Sequence, residues 1–259
     1  MKQTFAVIAV VLTSAVAHAG GAGGGPDTLW EEIKSDHLHF YSGVSLLELG
    51  GGLAVAGALA NSSVDQEIRD WYQEDIRSSG TDDFAEVAKP FGDGFITVPI
   101  LLGASVLDVW RKDSRVCGAI GEWGQRSLRG MLVGVPPLLV IQQATGGGRP
   151  SDGQESDWKP FEEGHGASGH AFMGAVPFLT ASRMVDNVAL KSVCYLASTL
   201  AGVSRINDDD HYASQVVLGW WLAWLAVDAV DGTETPDKRF RVTAIAKPDW
   251  SGIGVQMAF

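Results

Sequence analysis

Apolar runs of helical length alternate with short polar clusters along most of this chain. Residues 43–60, 95–110, 131–141, 171–184, 189–203 and 212–230 are each apolar enough to predict a buried helix. Asp186-Asn187 is a turn signal between two runs of similar length, so those two helices form an antiparallel pair that returns the chain to its starting level. His170 and Arg205 then share one end of that pair, with Arg149 just beyond a third run and His211 opening a fourth. A shorter amphipathic helix starts at Ser63, with Val64, Ile68, Trp71 or Tyr72, and Ile76 on its apolar side; Glu67, Asp70 and Glu74 make a solvated face. Upstream, Asp27 can cap a helix whose early turns carry Glu31 and Glu32. Pro136-Pro137 predicts a kink. The chain's end reads differently. Phe240, Val242, Ala244 and Ala246 alternate, as do Ile253, Val255, Met257 and Phe259, around a Lys247-Pro248-Asp249 turn. The expected fold is therefore all-α, a bundle of about six main helices over residues 20–238, with a short C-terminal β-hairpin at 239–259.

Three polar clusters interrupt the apolar pattern: Thr145-Gly146-Gly147-Gly148-Arg149-Pro150, Ala167-Ser168-Gly169-His170, and Ser204-Arg205 followed by His211 and Gln215. Each suits a tetrahedral oxyanion. Arginine presents a planar fork that matches phosphate oxygens in pairs. Glycines let backbone amides approach an anion closely. Ser168, Gly169 and His170 open a helix, where free amides and the dipole favour negative charge. Two histidines in one site can divide the work of nucleophile and general acid.

These clusters resemble the type 2 phosphatidic acid phosphatase superfamily, whose pattern is Lys-x6-Arg-Pro, Pro-Ser-Gly-His and Ser-Arg-x5-His-x3-Asp. Arg149-Pro150, Ser168-Gly169-His170, Ser204-Arg205 and His211 match in order and spacing. Gln142, Ala167 and Gln215 stand where the pattern has Lys, Pro and Asp. Gln215 has precedent in the glucose-6-phosphatases and dolichyl-diphosphatases of the superfamily, whereas Gln142 removes a phosphate-binding charge. The resemblance implies a metal-independent, cofactor-free phosphatase acting on a phosphomonoester or diphosphate: a lipid phosphate, an isoprenyl diphosphate or a small ester. It implies His211 as the nucleophile that becomes phosphohistidine and His170 as the acid. It assigns Arg149, Ser168, Gly169 and Arg205 to the phosphoryl oxygens, with Gln215 fixing the His211 tautomer. Two alternatives share the pattern: a vanadate-dependent haloperoxidase, disfavoured by the short chain, and a catalytically degenerate relative with a structural or binding role, motivated by Gln142.

Composition narrows the setting. A formal charge of -12 without a basic patch excludes nucleic-acid binding. The apolar fraction of 46% is ordinary for a soluble protein and low for a polytopic membrane protein. Residues 1–19 read as a secretory signal, with Lys2, an apolar stretch over 5–12, and Ala17-His18-Ala19 as a cleavage site. The expectation is an exported protein, periplasmic or associated with the inner membrane, its site facing the periplasm. Integral insertion stays open. The candidate spans are short, and Glu48 and Asp108 interrupt two of them.

The remaining chemistry-bearing residues have plainer readings. His37 and His39 are expected as partly exposed helix residues. Cys117 and Cys194 are expected as free buried thiols in preference to a bridge. Trp158 and Phe161 either pin the 151–163 loop or cover the site. His165 has no assigned role. Asp208-Asp209-Asp210 suggests a metal site, but consecutive acids point in different directions, so it is read as a solvated loop, with one acid a candidate to orient a histidine.

Overall fold

The computed structural model describes residues 26–107 and 114–234, together with the backbone alone of 240–247 and 250–257. The expected signal segment at 1–19 and Asp108 lie outside the described residues, as does the side chain of Asp27, the expected cap. The helices are α1 (Pro26–Phe40), α2 (Gly43–Ala60), α3 (Ser63–Trp71), α4 (Ser79–Ala88), α5 (Gly94–Ser105), α6 (Arg115–Thr145), α7 (Gly169–Met184), α8 (Val188–Ala197), α9 (Leu200–Asn207) and α10 (Ala213–Thr233). A π turn, Tyr72–Ile76, extends α3, and a 3-10 turn, Lys89–Gly92, extends α4.

The all-α expectation holds for this body, and the β-hairpin expectation is corrected. The region from Pro26 to Thr233 is helical with no strand among its described residues. Beyond it the backbone pairs Phe240–Lys247 with Trp250–Met257, but no side chain there is described and the pair is not counted in the fold. Alternating residues are a purely local signal, and an isolated two-stranded hairpin is marginal in water.

Helices are also shorter and more numerous than about six. The predicted 189–203 helix breaks after Ala197 into α8 and α9. Ser198 at the break donates to the Tyr195 carbonyl and accepts from Trp220 Nε1. Conversely, α6 runs unbroken through Pro136-Pro137 and takes in the polar stretch before 131.

Arg126 and Arg129 are buried. Arg129 holds Asp36 of α1 through two bonds of 2.7 Å and also pairs with Glu234. Arg126 pairs with Glu122 and Glu234. Breaking such a buried network on one side leaves an uncompensated charge and costs about 3–5 kcal/mol.

The core sits around α10, which packs against α7, α6, α2 and α1. Phe172, Leu179, Leu218, Leu222 and Val133 are fully enclosed there. α10 meets the start of α7 so closely that a Cβ on Gly219 would stand 2.3 Å from the Ser168 carbonyl oxygen. That approach brings the second and third polar clusters together.

The outer face is apolar over wide areas. Two helices are long and apolar enough to cross a membrane, α2 and α10; the Ser79–Gly92 and Gly94–Ser105 pair, bent by 54°, makes a third if counted as one span. α2 has mean hydropathy 1.6, yet only 17% of it is buried in the protein. Leu47 and Val44 stand well exposed on it. The expected 131–141 span is instead the interior of α6.

Candidate active site

α6 ends where the first cluster begins. Gly146 adopts the left-handed conformation at φ 62°, and its N–H returns to the Gln142 carbonyl at 3.1 Å. Any side chain there would strain the backbone and collide with the Lys159 carbonyl at 1.9 Å. The glycine turn then delivers Arg149, whose N–H donates to Gln154 Oε1 at 3.0 Å.

Ser168 is the N-cap of α7. Its Oγ accepts from the Ala171 N–H at 3.3 Å, leaving the hydroxyl proton free to donate. His170 follows in the first turn, half-buried. Arg205 closes α9 and is buried, and His211 lies between α9 and α10 at 6% exposure.

Gln215 joins the three clusters. Its Nε2 donates to the Gly148 carbonyl at 2.7 Å, reaching the first. Its backbone carbonyl accepts from Ser168 N–H at 2.8 Å, reaching the second. Its Oε1 meets His211 Nδ1 at 2.7 Å and accepts from Tyr212 N–H at 3.3 Å. The amide orientation follows from these partners, since a carbonyl only accepts and a backbone N–H only donates. His211 Nδ1 must then carry the proton that it donates to Gln215. Its Nε2 keeps the lone pair.

Arg149 and Arg205 both bear electrostatically on His170 and on His211, so the four residues do converge. Burial first, then these two arginines, push the His211 imidazole down to about 3, against the bond from Gln215, which raises it. Burial and Arg205 likewise lower His170. Both rings are therefore neutral near pH 7 in the empty site.

The remaining calls are sorted by geometry. Gln142 Nε2 donates to the Ala167 carbonyl at 2.8 Å, bracing the loop before Ser168. The three aspartates are not a solvated loop. Asp210 pairs with Arg205 and lies 3.7 Å from Arg149. Asp208 pairs with Lys89 at 2.6 Å and with Arg205 at 3.3 Å, and Asp209 takes the Arg69 guanidinium through two bonds. Asp209 points away from the other two, whereas Asp208 and Asp210 both meet Arg205.

Trp158 pins the loop: its N–H donates to Asn61 Oδ1 at 3.0 Å, and its ring lies against Gly57 of α2. Phe161 stands 78% exposed. His37 and His39 are partly exposed. The cysteines are free, though half-exposed where burial was expected.

Sequence reasoning missed His165. Its N–H donates to the Gly147 carbonyl, and its ring stands edge-on to His211 with centroids 6.3 Å apart. Only its nearness to Ser168 in the sequence hinted at this. Among the described residues, no group of three His, Cys, Asp or Glu side chains is arranged to hold a metal ion.

A family model described as PAP2 superfamily matches residues 136–230, from the middle of α6 to the end of α10. This segment is similar to the PAP2 superfamily. It contains all three clusters, and the likeness supports phosphatase-type chemistry on phosphorylated substrates. Comparison with curated proteins and with solved structures returned no match.

Proposed function

We propose that this protein hydrolyses a phosphomonoester or diphosphate through a phosphohistidine on His211. The observation that carries the reading is the free Nε2 lone pair, left by the 2.7 Å bond of Nδ1 to Gln215, beside two buried or half-buried arginines.

In the first step His211 Nε2 attacks phosphorus. A P–N bond forms, the P–O bond to the leaving group breaks, and protonated His170 gives its proton to the departing oxygen. In the second step His170, now neutral, takes a proton from water. The water oxygen bonds phosphorus, the P–N bond breaks, and neutral His211 is restored. Arg149, Arg205, Ser168 and the Gly169 N–H hold the non-bridging oxygens, the electrostatic part of the work in phosphoryl transfer. An incoming dianion raises the His170 pKa by opposing the burial and Arg205 effects, so it arms the acid on binding.

The reading includes an exported protein whose site faces the periplasm. Lipid phosphates, isoprenyl diphosphates and small esters all share the phosphoryl chemistry just described; a substrate panel assigns the class. The test of mechanism is His211→Ala, which should abolish turnover. Brief incubation of the wild type with labelled substrate should give an acid-labile phosphoprotein that this variant lacks. His170→Ala should slow alkyl phosphates far more than nitrophenyl phosphate, because a good leaving group needs no proton. Near wild-type turnover by His211→Ala would sink the proposal.

A further inference from the structure

α3 and its π turn present one polar stripe, and every member of it grips the segment that carries His211. Asp65 is fully buried, and its carboxylate accepts from the Ser214 N–H at 3.0 Å and from the Ser214 hydroxyl. It thereby caps the N-terminus of α10, where Tyr212 supplies no side-chain cap of the usual kind. One residue on, Gln66 Oε1 accepts from the Tyr212 hydroxyl at 3.1 Å. One turn on, Arg69 takes Asp209 by a two-pronged pair at 2.7 and 2.6 Å. A further turn on, Gln73 Nε2 donates to the Ile206 carbonyl at 2.8 Å. Positions 65, 66, 69 and 73 fall on one face of a helix. Their partners at 206, 209, 212 and 214 lie on both sides of His211.

The outer face of the same helix makes the allocation plainer. Val64 and Trp71 are 41% and 55% exposed, whereas the buried position is the aspartate. Hydrophobic burial therefore does not explain how α3 is held; its polar bonds to the 206–214 segment do. Asp209 itself has φ 59°, a conformation uncommon outside glycine, and it is the residue that Arg69 fixes.

We propose that α3 is a positioning clamp for the nucleophile: through Asp65, Gln66, Arg69 and Gln73 it fixes the loop that aims His211 at phosphorus. The inference rests on His211 being the nucleophile. None of the four residues touches the reacting atoms. Arg149 and Ser168 reach the anion from other elements, and Arg205 stands on α9 ahead of the loop, so loss of the Arg69–Asp209 pair or of Gln66 should change turnover more than anion affinity. Misplacing an attacking atom by about 1 Å can cost up to about a hundredfold in rate.

The experiment uses the full chain with nitrophenyl phosphate as substrate and inorganic phosphate as inhibitor. Arg69→Ala should lower kcat about tenfold, while the phosphate inhibition constant stays within about twofold. Asp209→Ala should match it, and the double variant should be no worse than either single one, since the pair acts as a unit. Arg69→Lys keeps the charge but loses the fork, and should fall between. Gln66→Ala, a milder change, tests the same split should Arg69→Ala fail to fold. A purely structural role would instead lower kcat and the active fraction together in proportion to unfolding. That result, or a kcat within about twofold of wild type in both Arg69→Ala and Gln66→Ala while His211→Ala is dead, overturns the clamp alone. An active His211→Ala overturns the clamp and the phosphohistidine reading together.

Discussion

Gln215→Glu isolates what the amide does, because the two side chains are nearly isosteric. In the native site Oε1 accepts from His211 Nδ1 and Tyr212 N–H, while Nε2 donates to the Gly148 carbonyl. A carboxylate reproduces the first two bonds and adds charge. It cannot make the third, and it sets an oxygen against the Gly148 carbonyl oxygen at the former 2.7 Å. The abandoned buried carbonyl costs about 1–3 kcal/mol, and the charge-assisted bond to His211 contributes about 1.5–3 kcal/mol. Stability at neutral pH is therefore a poor readout, since the two effects are of similar size. The protonation of His211 is a sharp one. A negative charge within about 4–6 Å favours the imidazolium and raises a pKa by about 1–3. His211, held down to about 3 in the native site, should then titrate at roughly 4–6. His211 must be neutral to attack, so the acid limb of kcat/KM should move up by the same amount. Carbon-labelled imidazole NMR at matched pH values reads the same transition directly. An acid limb that stays near 3 in the variant would show that Gln215 does not touch the nucleophile in solution, and the tautomer argument would fall with it.

Gly219→Ala places a Cβ 2.3 Å from the Ser168 carbonyl oxygen, a backbone atom that cannot swing aside. It should lower stability by about 1–3 kcal/mol and reduce kcat, as read by thermal unfolding and turnover. For the native enzyme, kcat/KM needs neutral His211 and protonated His170. It should therefore peak on the acid side, above about 3 and below the ordinary histidine value of 6.5, with the kcat profile reaching to higher pH once bound phosphate raises His170. The same depressed histidines, His165 included, take up protons more readily when unfolded. Their contribution to stability should be complete above pH 6.5 and lost as pH falls from there toward 3, which denaturant titrations at stepped pH will show.

Much of the site was legible because its residues come in short clusters beside apolar helices, and spacing alone placed the clusters at one end of a bundle. What spacing could not supply was partners distant along the chain. The aspartates at 208–210 are not solvated, because the cations at Lys89, Arg149 and Arg69 arrive from other elements, and two of the three acids share Arg205. The burial of Arg126 and Arg129 has the same source, since their acids include Asp36 of α1 and Glu234 after α10 besides Glu122 of α6 itself. Asp65 lies on the same helix as the acidic face of Glu67, Asp70 and Glu74 and gives no local sign of being buried. The C-terminal alternation misled in the opposite sense. A strand pattern is local, whereas membership of the fold depends on packing that no period of two can report.

Gln142 shows how a motif departure changes meaning once its partner is known. Read as a missing lysine, it predicts weakened phosphate binding that Gln142→Lys should repair. The side chain instead spans from the last turn of α6 to the Ala167 carbonyl, a fully buried group just ahead of the α7 N-cap. An ammonium can donate to the same carbonyl, so Gln142→Lys keeps the brace. Its charge is then engaged at Ala167, with Gly169 Cα beyond it and Arg149 and Arg205 already serving the anion. The inhibition constant for inorganic phosphate should therefore stay within about twofold, well below the roughly 1.4 kcal/mol of a tenfold gain. Gln142→Ala, by contrast, strips a buried carbonyl of its donor. It should destabilise the protein by about 1–3 kcal/mol and loosen the Ser168 cap, raising the phosphate constant through geometry and not through charge. A lysine variant that binds phosphate tenfold more tightly, beside an alanine variant of native stability, would restore the missing-charge reading and remove the brace.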